Sequence, residues 1–331
     1  MSPNTASPAT TGRENTVVCI GVHILDIHGR PISEIPPGQG GARIEQIRLS
    51  AAGTAAGTAV DLAKLGAHVV TIGCIGTDEV GDFLLALMGR HGIDTRGVVR
   101  TPAAQTSATI LPIKPNGDRP AFHVIGANGH LTLDVVERST VTSGSVLLIG
   151  GPDRMGDFGG APIREVAAWA RAAGMTTVMD VLGANPSIRG DDMRALLPLV
   201  DHLVPNEEQL CDLFGVDDPL VAARHALDHG AGRVVVTLGA DGCRGGAREQ
   251  AVHVPGRVVD VVDTTGCGDS VTAGYIRGLM LGDDPVRAAE LGVLAASLVA
   301  TGLGSDAGIV DLEGTRDAAH RFAVRQSSRW T

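Results

Sequence analysis

Two lysines in 331 residues, Lys64 and Lys114, are the first constraint this sequence sets. Neither follows a glycine-rich loop, so the P-loop arrangement, in which such a lysine reaches the phosphates, is excluded. Aromatic residues are scarce, 2% against 44% hydrophobic overall, so a core must be built from Val, Leu, Ile and Ala. No apolar run approaches the roughly 18 residues of a membrane helix, which leaves no membrane span. The five cysteines (Cys19, Cys74, Cys211, Cys243 and Cys267) are odd in number and include no CxxC pair. That argues against a disulfide framework or a zinc site and makes a reducing cytoplasm the expectation. A basic surface is also missing: the net charge of −10 speaks against a nucleic-acid partner, though not against a nucleotide. The first strand ends in Gly21-Val22-His23 instead of opening a GxGxxG turn, so a nicotinamide dehydrogenase is excluded. Residues 1–15, rich in Ser, Thr, Pro and Ala, lack the charged-then-apolar pattern of a secretion signal and read as a disordered tail.

What the chain does have is alternation. Apolar runs at Thr16–Gly21, His68–Cys74, Val146–Gly150, Thr176–Asp180, His202–Val204 and Arg233–Leu238 read as strands. Helical spacing separates them at Thr54–Leu65, Glu79–His91, Ile163–Ala173 and Pro219–His229. Pro285–Thr301 reads as a further, strongly apolar and buried helix with its proline in the first turn. This order predicts an α/β architecture with a mostly parallel central sheet flanked by helices. Two segments break the rhythm, 27–49 with its Pro and Gly cluster and 106–124 around the turn Pro115-Asn116-Gly117-Asp118. Both read as β-ribbons. Two short ribbons cannot bury a face alone, so they are expected to pack together as a small lid sheet.

The most informative stretch is Val262-Asp263-Thr264-Thr265-Gly266-Cys267-Gly268-Asp269-Ser270. Val258 to Val262 reads as a strand and the residues after Ser270 as a helix. Glycines at 266 and 268 permit a tight turn and leave N–H groups free at a helix N-terminus, an anion site. A carboxylate in such a nest would repel the anion unless it has a task of its own. Asp269 as acceptor of a hydroxyl proton, beside a phosphoryl group held by the nest, satisfies both features. Helix N-termini lower thiol pKa values, so Cys267 is open to activation, against the plainer reading that it fills a small slot.

These nine residues resemble the DTTGAGD signature of the ribokinase-like (PfkB) carbohydrate kinase family, with Cys267 at the usual Ala. The resemblance implies a ribokinase-like fold with a kinase domain over 16–312 and a C-terminal helix or tail over 313–331. It implies ATP, magnesium and a monovalent cation such as potassium, a lid that covers a sugar, and a homodimer formed through the lid sheets. The activity implied is transfer of the ATP γ-phosphoryl group to a primary hydroxyl of a sugar or sugar-like molecule. In it Asp269 is the base, and the N–H groups of Gly266, Cys267 and Gly268 steady the transferring group. Asp26 looks like the family's acceptor of sugar hydroxyls, the alternative being a turn Asp leading into the lid. His23 and His28 receive no role.

Ala52-Gly53-Thr54-Ala55-Ala56-Gly57-Thr58-Ala59 resembles the first signature, GGxxxNxA, with Ala52 at the first Gly and Gly57 at the Asn. Gly53 and Thr54 are then substrate-side, and Gly57 trades a polar anchor for room. Asn128, in Gly126-Ala127-Asn128, resembles a turn common among ribokinases. On the nucleotide side fall Asn206, Thr237, Gly239, Gly242, Thr264 and Gly268. Gln209 stands where the family's NxxE element has its Glu near magnesium, so Glu208 or Glu207 substitutes or the metal is held through water. Asp263 and Ser305 are the implied monovalent-cation ligands. Two other readings stay open: an adenosine-type nucleoside kinase, and a non-catalytic ligand sensor on the same fold.

Overall fold

The β-branched runs form strands, and their order gives the frame of the site. The computed structural model describes residues 12–326, except 184–185 and 248–249. Its strands are β1 (Thr16–Gly21), β2 (Ile24–Arg30), β3 (Gln46–Ala52), β4 (His68–Gly76), β5 (Asp94–Thr101), β6 (Ala108–Pro112), β7 (Phe122–Val124), β8 (Val146–Gly150), β9 (Thr176–Asp180), β10 (His202–Leu203), β11 (Arg233–Thr237), β12 (Cys243–Ala247) and β13 (Gln250–Val254). The helices are α1 (Ala56–Lys64), α2 (Glu79–Gly89), α3 (Arg138–Val141), α4 (Ala161–Ala172), α5 (Pro186–Leu196), α6 (Glu207–Phe214), α7 (Pro219–Asp228), α8 (Cys267–Met280), α9 (Pro285–Val299) and α10 (Leu312–Arg321).

Nine strands make one sheet in the order β13-β12-β11-β10-β9-β8-β1-β4-β5. All pairings from β5 across to β11 are parallel, and β12 and β13 add an antiparallel edge. From β1 the chain crosses to β4 on one side and later to β8 on the other. The carboxyl ends of β1 and β8 therefore form a switch point, where open α/β sheets bind ligands. A core layer of Val, Leu, Ile and Ala lies on each face of the sheet, with Tyr275 and Phe158 the largest fully buried side chains. Small residues let α8 and α9 pack almost backbone to backbone. A Cβ on Gly274 would lie 2.6 Å from Gly292 Cα, and one on Gly278 2.6 Å from Ala288 Cα.

A second sheet, ordered β3-β2-β6-β7, is the expected lid. Its strands alternate with a period of two, and the two faces differ sharply. Asp26, His28, Ser50, Thr109 and Leu111 are buried on one face. Ile47, Ile110 and Phe122 are 67%, 57% and 58% exposed on the other.

Two expectations change, and one element went unread. Val258–Val262 is not a strand: it crosses from β13 to α8 held by single bonds, Val258 N–H to Ala323 O and Val262 N–H to Ala300 O. Its β-branched residues favour extended backbone, but among the described residues no strand lies alongside to build a ladder. Residues 13–15, expected in a disordered tail, form a 3-10 turn pinned where Arg13 donates to Gly144 O and Ala173 O. The rest of that tail, 1–11, lies outside the described residues. The hairpin β12–β13 went unread because its Gly-Gly and Arg residues carry no alternating pattern.

Candidate active site

Gly266 is where the chain turns into α8. Its φ of 80° is left-handed, and a Cβ there would stand 2.3 Å from Ser305 O, so only glycine fits. Cys267 N–H, expected in the anion nest, folds back onto Thr264 O at 3.3 Å. Ser270 N–H is the first in the helix to make an i−4 bond, to Gly266 O. The first-turn N–H groups of Gly268 and Asp269 are thus left to point outward. No atom beyond its chain neighbours would lie within 4 Å of a Cβ on Gly268, so the nest is open there.

Asp269 sits in this turn beside Gly57 of α1. A Cβ at 57 would lie 2.8 Å from Asp269 Oδ2, so the missing side chain is the space in which the carboxylate rests. Burial, and then Asp26 across the pocket, push the Asp269 carboxyl up to about 7, with Arg119 pulling the other way. Asp26 lies within β2 on the polar face of the lid, which settles against a turn residue. Burial raises its carboxyl, opposed by His28, a hydrogen bond with Thr109, and Arg119. Arg119, in the turn between β6 and β7, donates Nε–H to Thr264 Oγ1 at 3.3 Å while its side chain stays exposed. Its charge acts on both carboxylates, and sequence reasoning passed over it as part of a turn. Its position next to Asp118 in the lid ribbon was the available signal.

Behind the first turn lie two further buried carboxylates. Asp61 Oδ2 is 2.5 Å from Ser270 Oγ, and Asp180 Oδ2 accepts from Thr272 Oγ1 at 3.0 Å. Burial raises both carboxyls well above their ordinary range. Ser270 has one proton and two close oxygens, Asp61 Oδ2 and Gly266 O at 2.8 Å, which fits a protonated Asp61.

Other expected residues are positioned differently. Asn128 is buried with its amide spent on the chain: Oδ1 accepts from His23 N–H at 2.9 Å and Nδ2 donates to His23 O at 3.1 Å. It therefore holds the turn that delivers Asp26. Gly53 has a left-handed φ of 87°, and a Cβ there would meet Val22 O at 2.8 Å. Thr54 is buried, its hydroxyl without a partner among the described residues. Burial pushes the Cys267 thiol up to about 12, so it fills a small slot and is not activated. His23 is a packed, neutral histidine: Nδ1 donates to Gly21 O and Nε2 meets Thr71 Oγ1, with burial lowering it to about 4.

Among the residues expected on the nucleotide side, Asn206 caps α6 and pairs as a β-bridge with Thr237 at the end of β11. Asn206 Oδ1 accepts from Gln209 N–H at 2.8 Å, and Gln209 Oε1 accepts from Asn206 N–H at 2.7 Å, a complete capping box. An amide performs this as well as a carboxylate, which explains Gln209. Gly239 opens the following 3-10 turn at φ 58° with free space beside it, whereas Gly242 packs on Val254 O. Glu208 is exposed in the first turn of α6. Asp263 and Ser305 lie together below Gly266, both completely or nearly buried.

An open helix N-terminus with a carboxylate beside it and a small second sheet, on a ribokinase-type fold, is the arrangement of a phosphotransferase. Residues 14–311 match the pfkB family of carbohydrate kinases, and the chain belongs to that family. The ribokinase of Haemophilus influenzae is 28% identical over 273 residues, covering 80% of this chain and 86% of the relative. A fructokinase of Klebsiella pneumoniae is 28% identical over 250 residues, covering 72% and 80%. Among solved structures, an E. coli protein described as a ribokinase II, in complex with ATP and magnesium, superposes with a TM-score of 0.79. It is 23% identical and covers 92% of this chain and 99% of its own.

Proposed function

We propose that this carbohydrate kinase transfers the γ-phosphoryl group of ATP to a primary hydroxyl of a sugar or sugar-like molecule, with Asp269 as general base. The observation that carries the reading is the half-buried Asp269 in the open first turn of α8, its carboxyl lodged against Gly57 and raised to about 7 by desolvation and by Asp26. The acceptor hydroxyl gives its proton to Asp269 as its oxygen bonds the γ-phosphorus and the bond to the β-phosphate oxygen breaks, releasing ADP. An Asp near neutrality is better matched to this task than one of ordinary pKa. In a loose transition state the proton leaves late, so placement counts as much as basicity. The N–H groups of Gly268 and Asp269 face the developing charge, and Arg119 adds a positive group from the lid.

Asp26 holds sugar hydroxyls from above. Asn206, Thr237, Gly239, Gly242 and Thr264 line the nucleotide side. Among the described residues no three His, Cys, Asp or Glu side chains converge on a metal position. That fits magnesium arriving with ATP, kept by phosphates and water with Glu208 or Glu207 in the outer shell. When bound, it supplies neutralisation of the β- and γ-phosphate charge.

The exposed apolar face of the lid supports a homodimer in which two lids cover each other. Sedimentation of Ile110→Glu should give a monomer where the parent gives a dimer. No helix among the described residues is long and apolar enough to cross a membrane, and the five free cysteines favour a reducing cytoplasm.

The test is ATP consumption against hexoses, pentoses, ketoses, deoxy and acidic sugars, and nucleosides, with Asp269→Asn as the blank. Turnover of a sugar that vanishes in the variant supports the reading. Turnover of nucleosides alone replaces the substrate class. Binding without turnover turns the protein into a sensor.

A further inference from the structure

A monovalent cation at Asp263 and Ser305 needs oxygen lone pairs that the protein leaves open. Asp263 leaves none. A carboxylate offers about four lone-pair positions, and four donors take them. Oδ1 accepts from Thr265 N–H at 2.9 Å and from Thr265 Oγ1–H at 2.6 Å. Oδ2 accepts from His28 Nδ1–H and from Gly304 N–H, both at 3.1 Å. Ser305 Oγ–H donates to Ala51 O at 2.8 Å and keeps its lone pairs, Lys64 Nζ donates to Asp306 O at 2.7 Å, and Thr264 O accepts one bond from Cys267 N–H, so it is the Asp263 carboxylate that has no open position. All four donors come from the chain itself, so the anion is already satisfied.

His28 comes from far away in sequence. It lies on lid strand β2, completely buried, and its Nε2 meets Ser50 Oγ of β3 at 2.7 Å. Asp26 lies two residues earlier, on the same face of the same strand. One rigid strand therefore carries both the acceptor for the sugar and the clamp on the loop leading into the anion nest.

We propose that His28 is a positioning residue that stands in place of an exchangeable monovalent cation: from the lid it fixes Asp263, and with it the 263–268 loop, so the nest is set by lid placement and not by potassium. The effect on rate rests on the kinase reading above; the exclusion of the cation does not.

The experiment therefore begins with a readout that needs no turnover. Thallium(I), a potassium surrogate, is titrated into the full-length protein and followed by thallium NMR in nitrate salts. The wild type is expected to show no bound ion. His28→Ala frees one lone pair and should bind thallium, and adding Asp263→Asn should abolish that binding. Bound thallium in the wild type that Asp263→Asn removes would overturn the proposal.

Turnover is then compared in potassium and tetramethylammonium at equal ionic strength. The wild type should differ by less than about twofold. His28→Ala should lose about tenfold in kcat in tetramethylammonium and recover in potassium. His28→Asn, whose amide nitrogen falls near the imidazole Nδ1, should keep the rate and the indifference. Loss of rate in His28→Ala with neither thallium binding nor potassium rescue would reduce His28 to a packing residue and sink the idea. Should His28→Ala not fold, the wild-type titration and His28→Asn still decide it. Absence of turnover in every salt would count against the kinase reading alone, because the thallium result stands without it.

Discussion

The two ends of the pocket are built on opposite plans. Around the first turn of α8, on the side proposed for the sugar, gather Asp26, Asp61, Asp180, Asp263 and Asp269, the first four buried and Asp269 half-buried, all with shifted carboxyls and from elements far apart in sequence. On the side proposed for the nucleotide, α6 and the turn after β11 offer backbone groups, a complete capping box and, in the first helical turn, the exposed Glu208 and half-buried Glu207. The difference teaches where the chemistry is. A proton acceptor is better matched when its carboxyl is lifted toward neutrality, which burial and a like charge bring about. Holding a nucleotide needs shape, N–H groups and water-filtered metal contact, which ordinary turns provide.

The comparison breaks first at Asp269. Asp269→Asn should lower kcat by about a hundredfold or more if general base catalysis is the task. The same variant should be more stable than the parent at high pH. A carboxyl raised from its ordinary value to about 7 stabilises the fold while protonated; that contribution is complete below about pH 4 and is lost as pH climbs to about 7. Asn carries no charge to bury, so thermal unfolding should show its Tm several degrees above the parent at pH 8, with the gap closing steadily toward pH 4. An equal gap at both values would mean the carboxyl is not buried as described. Arg119 comes next. Because it opposes the rise at Asp269, Arg119→Gln should move the acid limb of the kcat/KM profile to higher pH and cost on the order of tenfold in rate. An unmoved limb would remove Arg119 from the site.

The two regions were also unequally legible. The turn at Gly266 and the start of α8 could be read from nine contiguous residues, because a turn-and-helix N-terminus is a local structure written in order. The parallel strands β1, β8 and β9 were legible to the residue, since a strand buried on both faces is a continuous apolar run. Contacts that join distant segments were not legible. His28 and Asp263 are 235 residues apart, and nothing in either neighbourhood names the other. Asn128 looked like a sugar ligand, but only the structure shows both ends of its amide on the His23 backbone. Val258–Val262 failed for a related reason: propensity cannot tell whether a partner strand exists.

Smaller effects sharpen the contrast. Gly57→Ala puts a methyl where Asp269 Oδ2 rests, and a carboxylate at the end of a side chain can turn aside. The fold should therefore survive while kcat falls by roughly tenfold, the scale of a slightly misplaced catalytic group. A rise in KM for the sugar with kcat unchanged would mean that residue 57 touches substrate and not the base.

The smallest effect belongs to the nucleotide side, at Gln209. Its side chain closes the capping box on Asn206, so Gln209→Ala should cost about 1 kcal/mol of stability in denaturant unfolding. Gln209→Glu keeps the acceptor and adds negative charge at a helix N-terminus, where it is favoured, so it should be as stable as the parent. Neither change should alter the magnesium concentration needed for half-maximal rate, because the amide is turned back onto its own helix. If Gln209→Glu lowered that concentration severalfold, the 209 position would face the metal, and the nucleotide side would depend on a carboxylate as the sugar side does.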